Sequence, residues 1–207
     1  RDGEFNLSEM AAIVWYLGKK HGWKTMYPDS LEEQALVHQF LHMHHTLVRL
    51  ATYHLMAPHV VKPLNLPQTE PNPLSIFQTD NLASSFASDN PHETGNQTVT
   101  VIAEFLENHY FPGQSTFLCG GSDPTVADLT CYSELGQFHF ANLFDFEPYP
   151  TLTRWLKAMR NVPHHDAVHA YNIDLGDILT QANTFERFIR ASEMGMDALV
   201  ETGLASY

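Results

Sequence analysis

"FLCGGSDPTVADLTCYSEL" occupies residues 117–135, and its middle is a helix start written in side chains. Thr125 and Asp128 stand at the spacing where each side chain accepts a hydrogen bond from the other's backbone N–H. Such a pair satisfies two of the donors that a helix N-terminus leaves open. Val126, Leu129 and Leu135 then recur at helical spacing. The stretch predicts a loop delivering a helix capped at Thr125, with Asp128 in a structural rather than catalytic role. As a simple cap, Asp128 would be worth about 1 kcal/mol.

Helices follow on both sides. Upstream, "SLEE" pairs Ser30 with Glu33 and opens a long run to Met56, closed by Pro58, with Leu31, Ala35, Phe40, Leu47, Ala51 and Leu55 on one buried face. Before it, Ser8 caps a short amphipathic helix carrying Met10, Ile13, Val14 and Leu17, which ends at Gly22. Thr98 to Tyr110 predicts a helix with Val101, Ile102, Phe105 and Leu106 inward, stopped at Pro112-Gly113. Downstream, Pro150 in a first turn starts a helix through Leu152, Trp155, Leu156 and Met159. Two or three shorter helices complete the chain, and there is no internal repeat.

Two stretches read differently. Residues 60–97 are rich in Pro, Asn, Ser, Thr and Asp, a long connection in which "LSIFQTDNLASSF" could form a helical turn or two. At the start, Asp2-Gly3 favours a type I′ hairpin turn and "EFNL", residues 4–7, alternates as a strand, yet only Arg1 stands across the turn. The fold class is therefore all-α, preceded by one residual strand.

Bulk composition narrows the function. A net charge of −13, from 11 Lys and Arg against 24 Asp and Glu, argues against nucleic-acid binding, which needs clustered cations. No apolar run approaches the roughly 18 to 20 residues of a membrane helix. Cys119 and Cys131 have neither C-x-x-C spacing nor a flanking cation, and read as buried, reduced thiols of an intracellular protein. The expected compartment is the cytoplasm, or an organelle after loss of a targeting peptide. Histidines 38, 42 and 45 share a helix face, and "HDAVH" at 165–169 approaches a zinc-protease pattern. Asp166 is too short for the role of the Glu in that pattern, so no metal site is expected.

Taken together, these segments resemble the glutathione transferases, theta-like in flavour. "DGEFNLSEMAAIVWYLGKKHG" is similar to the last strand of that family's thioredoxin-like domain and the helix after it, where D-G-x-F-x-L-x-E-S-x-A-I-x-x-Y-L is usual. "FLCGGSDPTVADL" resembles its F-L-x-G…[ST]-x-A-D-L segment, and "YPTLTRWLKAMRNVP" its Y-P-x-L-x-x-W helix. "FLHMHHTLVR" is similar to a theta-type W-x-H-x-x-L-R core, matched at His45 and Arg49, with Met43 in place of Trp. The resemblance implies that residues 1–27 are the remnant of a thioredoxin-like domain and that 28–207 form an all-helical C-terminal-type domain. Cofactors are none, with glutathione a possible ligand.

The same resemblance places functional residues. The family's Glu-Ser pair at this helix start binds the γ-glutamyl end of glutathione, and here it reads Glu9-Met10. The acid is present and the hydroxyl is not, which would forfeit on the order of 1 to 3 kcal/mol at a ligand carboxylate. Glu9 also reads simply as an acid favoured by the helix dipole. His45, Thr46 and Arg49 fall at positions that can face the electrophile, Arg49 either steadying an anion or paired within the bundle. The thiol-activating residue of the family has no match in residues 1–207. The chain as it stands is therefore expected to be a non-catalytic transferase-like module in an assembly or homodimer, docking through the strand edge at 4–7 or through residues 60–97. The alternative is a piece of an active theta-like transferase conjugating glutathione to small electrophiles.

Overall fold

The computed structural model describes residues 1–61, 90–181 and 184–206. Over these, the helices are α1 (Met10–His21), α2 (Leu31–His44), α3 (Val48–Ala51), α4 (Ala57–Val61), α5 (Pro91–His109) and α6 (Val126–Phe140). They are followed by α7 (Pro150–Met159), α8 (His165–Val168), α9 (Ala170–Leu175) and α10 (Phe185–Glu201). No helix among the described residues is long and apolar enough to cross a membrane.

α6 is the axis of the bundle. Cys131, Tyr132, Leu135 and Phe138 on it are buried, meeting Phe40 and Leu41 of α2, Ile102 and Leu106 of α5, and Leu152 and Trp155 of α7 in one core. Each fully buried Leu or Phe contributes about 1.5–3 kcal/mol. The cap forms as the spacing predicts, Thr125 Oγ1 accepting from Ala127 N–H and Asp128 Oδ2 from Thr125 N–H at 2.8 Å. The carboxylate does more than cap: Oδ1 also accepts from Leu118 N–H at 2.7 Å and Trp155 Nε1–H at 3.0 Å. Asp128 therefore ties the incoming loop and α7 to the start of α6.

The expected strand does not form. Among the described residues there is only an isolated bridge, Asp2 and Phe5 exchanging both backbone hydrogen bonds. Gly3, at φ 58, takes the first central position of that turn, so the turn sits one residue later than a type I′ hairpin on Asp2-Gly3. Among the described residues no strand pairs with residues 4–7 beyond that bridge.

Several boundaries move for physical reasons. α1 begins at Met10 with Glu9 as its N-cap, and no side chain caps it. The run expected over 30–56 breaks at 45–47, where Thr46 turns its hydroxyl onto Met43 O at 3.1 Å. Pro58 does not end it either. A π turn, Thr52–Met56, closes with Ala57 N–H donating to Thr52 O, and α4 then carries Pro58 in its first turn, where its missing N–H is tolerated.

Across that turn α5 passes so close that a β-carbon at Gly95 would lie 2.5 Å from His54 O. Helix α5 starts at Pro91 rather than Thr98, Asn90 Oδ1 accepting from Glu93 N–H, so the 60–97 connection is shorter at both ends than its composition suggests. "LSIFQTDNLASSF" lies outside the described residues. Leu31 and Val101, expected inward, are 79% and 60% exposed. The first turn of α7 is capped at long range, Glu107 of α5 accepting from Thr151 and Leu152 N–H, both at 2.9 Å.

Candidate functional site

The residues singled out in sequence converge where α1 begins beside the corner between α2 and α3. Glu9 holds φ 70 and ψ 119, a conformation costly for a residue with a side chain and one that clusters at ligand sites. The first-turn amides of α1 have no side-chain cap. Met10 is half-buried and packs against the core, which accounts for an apolar residue where the resemblance leads one to expect a hydroxyl.

His45 is exposed at the corner. Burial and the charges of His44 and Arg49 lower its pKa, while those of Glu9 and Glu134 raise it, so the five groups share one electrostatic neighbourhood. Thr46 spends its hydroxyl on the local turn.

Arg49 reaches inward. Its Nη2 lies 3.1 Å from Glu134 Oε1, although the side chain stays 41% exposed. Glu134, on α6, is buried and also meets His44 Nε2 at 3.2 Å and the Thr52 hydroxyl of the π turn. Gln137 Nε2 donates to that same hydroxyl at 2.7 Å. Burial pushes the Glu134 carboxyl up, but hydrogen bonds from His44 and Thr52 and the Arg49 charge outweigh it and hold the pKa below the ordinary value. The arrangement is a buried carboxylate holding a half-exposed guanidinium. Glu134, His44, Thr52 and Gln137 were not singled out in sequence because Glu134 lies 90 residues from His44 and 82 from Thr52. The one available signal was an acid between Cys131 and Leu135 on an inward helix face.

Other candidates fall away. Among the described residues no group of three His, Cys, Asp or Glu side chains could hold a metal ion. Burial pushes the Cys119 thiol up to about 12 and that of Cys131 well above its ordinary value, so neither is an activated nucleophile. A groove of about 830 Å³ between α5, α7 and residues 141–149 is lined by Lys157 and Arg160 and by Asp145 and Glu147 among others. It contains none of the residues of the α1 corner.

Comparison with known proteins bears on the family and the fold. Residues 79–171 match the family model described as the glutathione S-transferase C-terminal domain. Arabidopsis thaliana glutathione S-transferase T1 is 27% identical over 99% of this chain and 75% of its own length. By these matches the chain is similar to the glutathione transferase superfamily. Its likeness within it is to the theta class: mouse glutathione S-transferase theta-3 is 30% identical over 75% of the chain and 57% of that protein. Arabidopsis glutathione S-transferase T2 is 28% identical over 93% of the chain, which spans only 29% of that relative's length.

In structure, human glutathione S-transferase T1-1 in its apo form superposes with a TM-score of 0.62 at 22% identity, over 94% of this chain and 76% of that one. Human theta-2, solved as a complex with glutathione and an unknown ligand, gives 0.58 at 21% identity over 95% of this chain and 76% of that one. The fold of this chain is thus that of the glutathione transferase C-terminal helical domain.

Proposed function

We propose that residues 1–207 belong to a theta-like transferase that conjugates glutathione to small electrophiles, with the thiol-activating residue on a thioredoxin-like domain outside this stretch. In that reading residues 1–27 pack with that domain and 28–207 form the helical domain. The observation that carries it is Glu9, an acid held in a strained backbone at the uncapped N-terminus of α1. Its carboxylate suits the ammonium of the γ-glutamyl end, and the open first-turn amides suit the adjacent carboxylate. Phe5, Leu7, Ile13 and Trp15 stand exposed nearby, an apolar surface of the kind a second domain covers. Arg49, fixed by Glu134, is the cation available to steady an anionic substrate or leaving group. Homologues named as glutathione transferases support this reading. A non-catalytic interaction subunit has less behind it, because the strand edge at 4–7 on which it relied is not formed.

The test is to isolate the natural protein, measure its intact mass and assay it on a halogenated electrophile with glutathione. A species heavier than 23.5 kDa that is retained on immobilised glutathione and active, and that loses retention on Glu9→Ala, is the expected result. A natural protein that does not bind glutathione would sink the proposal.

A further inference from the structure

The last helix carries two apolar faces. Toward the bundle α10 buries Phe188, Ala191 and Gly195, and it lies so close to α9 that a β-carbon at Gly195 would meet Tyr171 Cβ at 3.1 Å. Beside that face Phe185, Ile189, Ser192 and Met196 follow one another at spacings of four, three and four residues. This spacing keeps a seam on one side of a helix, the side that a partner helix takes in a coiled pair. Phe185, Ile189 and Met196 are 56%, 44% and 44% exposed, so among the described residues the seam stands open. A lone exposed apolar side chain is ordinary; a stripe of them in helical register marks a contact surface.

The rim of the seam is acidic. Ile189, Ser192 and Met196 share a shallow depression with Glu193 and Asp197. Glu186 and Glu193 each directly follow a seam residue, the position that flanks the contact in a helix pair. The arginines of α10 are engaged by α9 instead, Arg187 donating to Leu175 O and Arg190 Nη2 lying 3.5 Å from Asp174 Oδ1.

We propose that this seam is the docking site of a cationic amphipathic helix on another protein. Charge selects that occupant. A second copy of the chain would bring the same acidic rim against its own, on top of a net charge of −13. An anionic membrane surface is repelled by the same carboxylates. A helix whose apolar stripe is flanked by lysines or arginines meets Glu186 and Glu193 with opposite charge and lays its anchors along Ile189 and Met196. The site is separate from the α1 surface given above to a second domain, because α10 packs on α8 and α9. It does not depend on glutathione binding at Glu9.

Titration of the full natural protein with synthetic helical peptides tests this. Two peptides of about 20 residues carry leucines at four-three spacing, one flanked by lysines and its twin by glutamates. The lysine peptide should bind at least about tenfold tighter, and Ile189→Asp and Met196→Asp, both at exposed positions, should each weaken it about tenfold or more. Val101→Asp, at an exposed apolar position on α5, should leave it unchanged. Glu193→Gln should lower the slope of affinity against salt. Equal binding of the twins, or the same loss on Val101→Asp, would overturn the proposal. So would a dimer in sedimentation that Ile189→Asp dissolves, or binding to phosphatidylserine vesicles through the same residues, since another occupant would then hold the seam.

Discussion

Replacing Asp128 with Ala separates a local helix cap from a junction of three elements. A cap alone would cost about 1 kcal/mol. In the structure the carboxylate accepts from Leu118 N–H, Thr125 N–H, the Thr125 hydroxyl and Trp155 Nε1–H, and all four donors belong to buried residues. Each orphaned buried donor costs about 1–3 kcal/mol, the hydroxyl can rotate to another acceptor, and the donors share one cavity, so their losses do not simply add. About 4 kcal/mol is expected. At about 2–3 kcal/mol per M urea for a chain of this size, the unfolding midpoint should fall by about 1.5 M. Fluorescence of the buried Trp155 beside far-UV circular dichroism reports the transition. Asp128→Asn, which keeps the Oδ1 acceptor, should lose about half as much. A midpoint shift for Asp128→Ala below about 0.5 M would refute the junction and return Asp128 to an ordinary cap.

Other expectations follow from the same geometry. Gly95→Ala should destabilise by about 2–3 kcal/mol in urea titration, because its β-carbon would fall 2.5 Å from His54 O and 2.7 Å from Leu55 Cα, backbone atoms that cannot rotate away. Glu134 has a folded-state pKa below its unfolded value, so its contribution is present above the unfolded value and lost as pH falls through the folded one. Glu134→Gln should flatten the acid limb of a stability profile measured from pH 7 downwards. Cys119 and Cys131 should resist an aromatic disulfide reagent at pH 8 in the native chain and react at once in denaturant, their thiols being held protonated by burial.

The bundle was legible wherever its signals are local. The Thr125–Asp128 spacing, the Ser30–Glu33 pair and the first-turn Pro150 each fix a helix start through contacts within one turn, and all three starts are where they were expected. Asn90 and Glu93 carry the same kind of signal, hidden in a polar stretch that reads as loop by composition. What could not be read depends on distance. Glu107 caps α7 from α5, and the acceptors of Trp155 and Arg49 lie on another helix, so only the folded chain pairs them. Pro58 misled because a π turn absorbs the proline that would otherwise stop the helix. The strand at 4–7 misled because alternation marks a strand only where another strand pairs with it, and among the described residues none does. At the candidate site, Glu9 was visible as a residue type; its strained backbone was not, since nothing in the local sequence demands φ 70 there.

The crossing at Gly95 has a consequence for how the chain could be rebuilt. His59 of α4 and His92 of α5 meet with ring centroids 5.5 Å apart, so the two chain segments on either side of residues 62–89 are held together by contacts of their own. The ends of that connection are neighbours whatever joins them, and lengthening such a connection twofold adds only about 0.6 kcal/mol of closure entropy. A change in the length of the chain joining them should therefore leave α4 and α5 still finding each other as they do now.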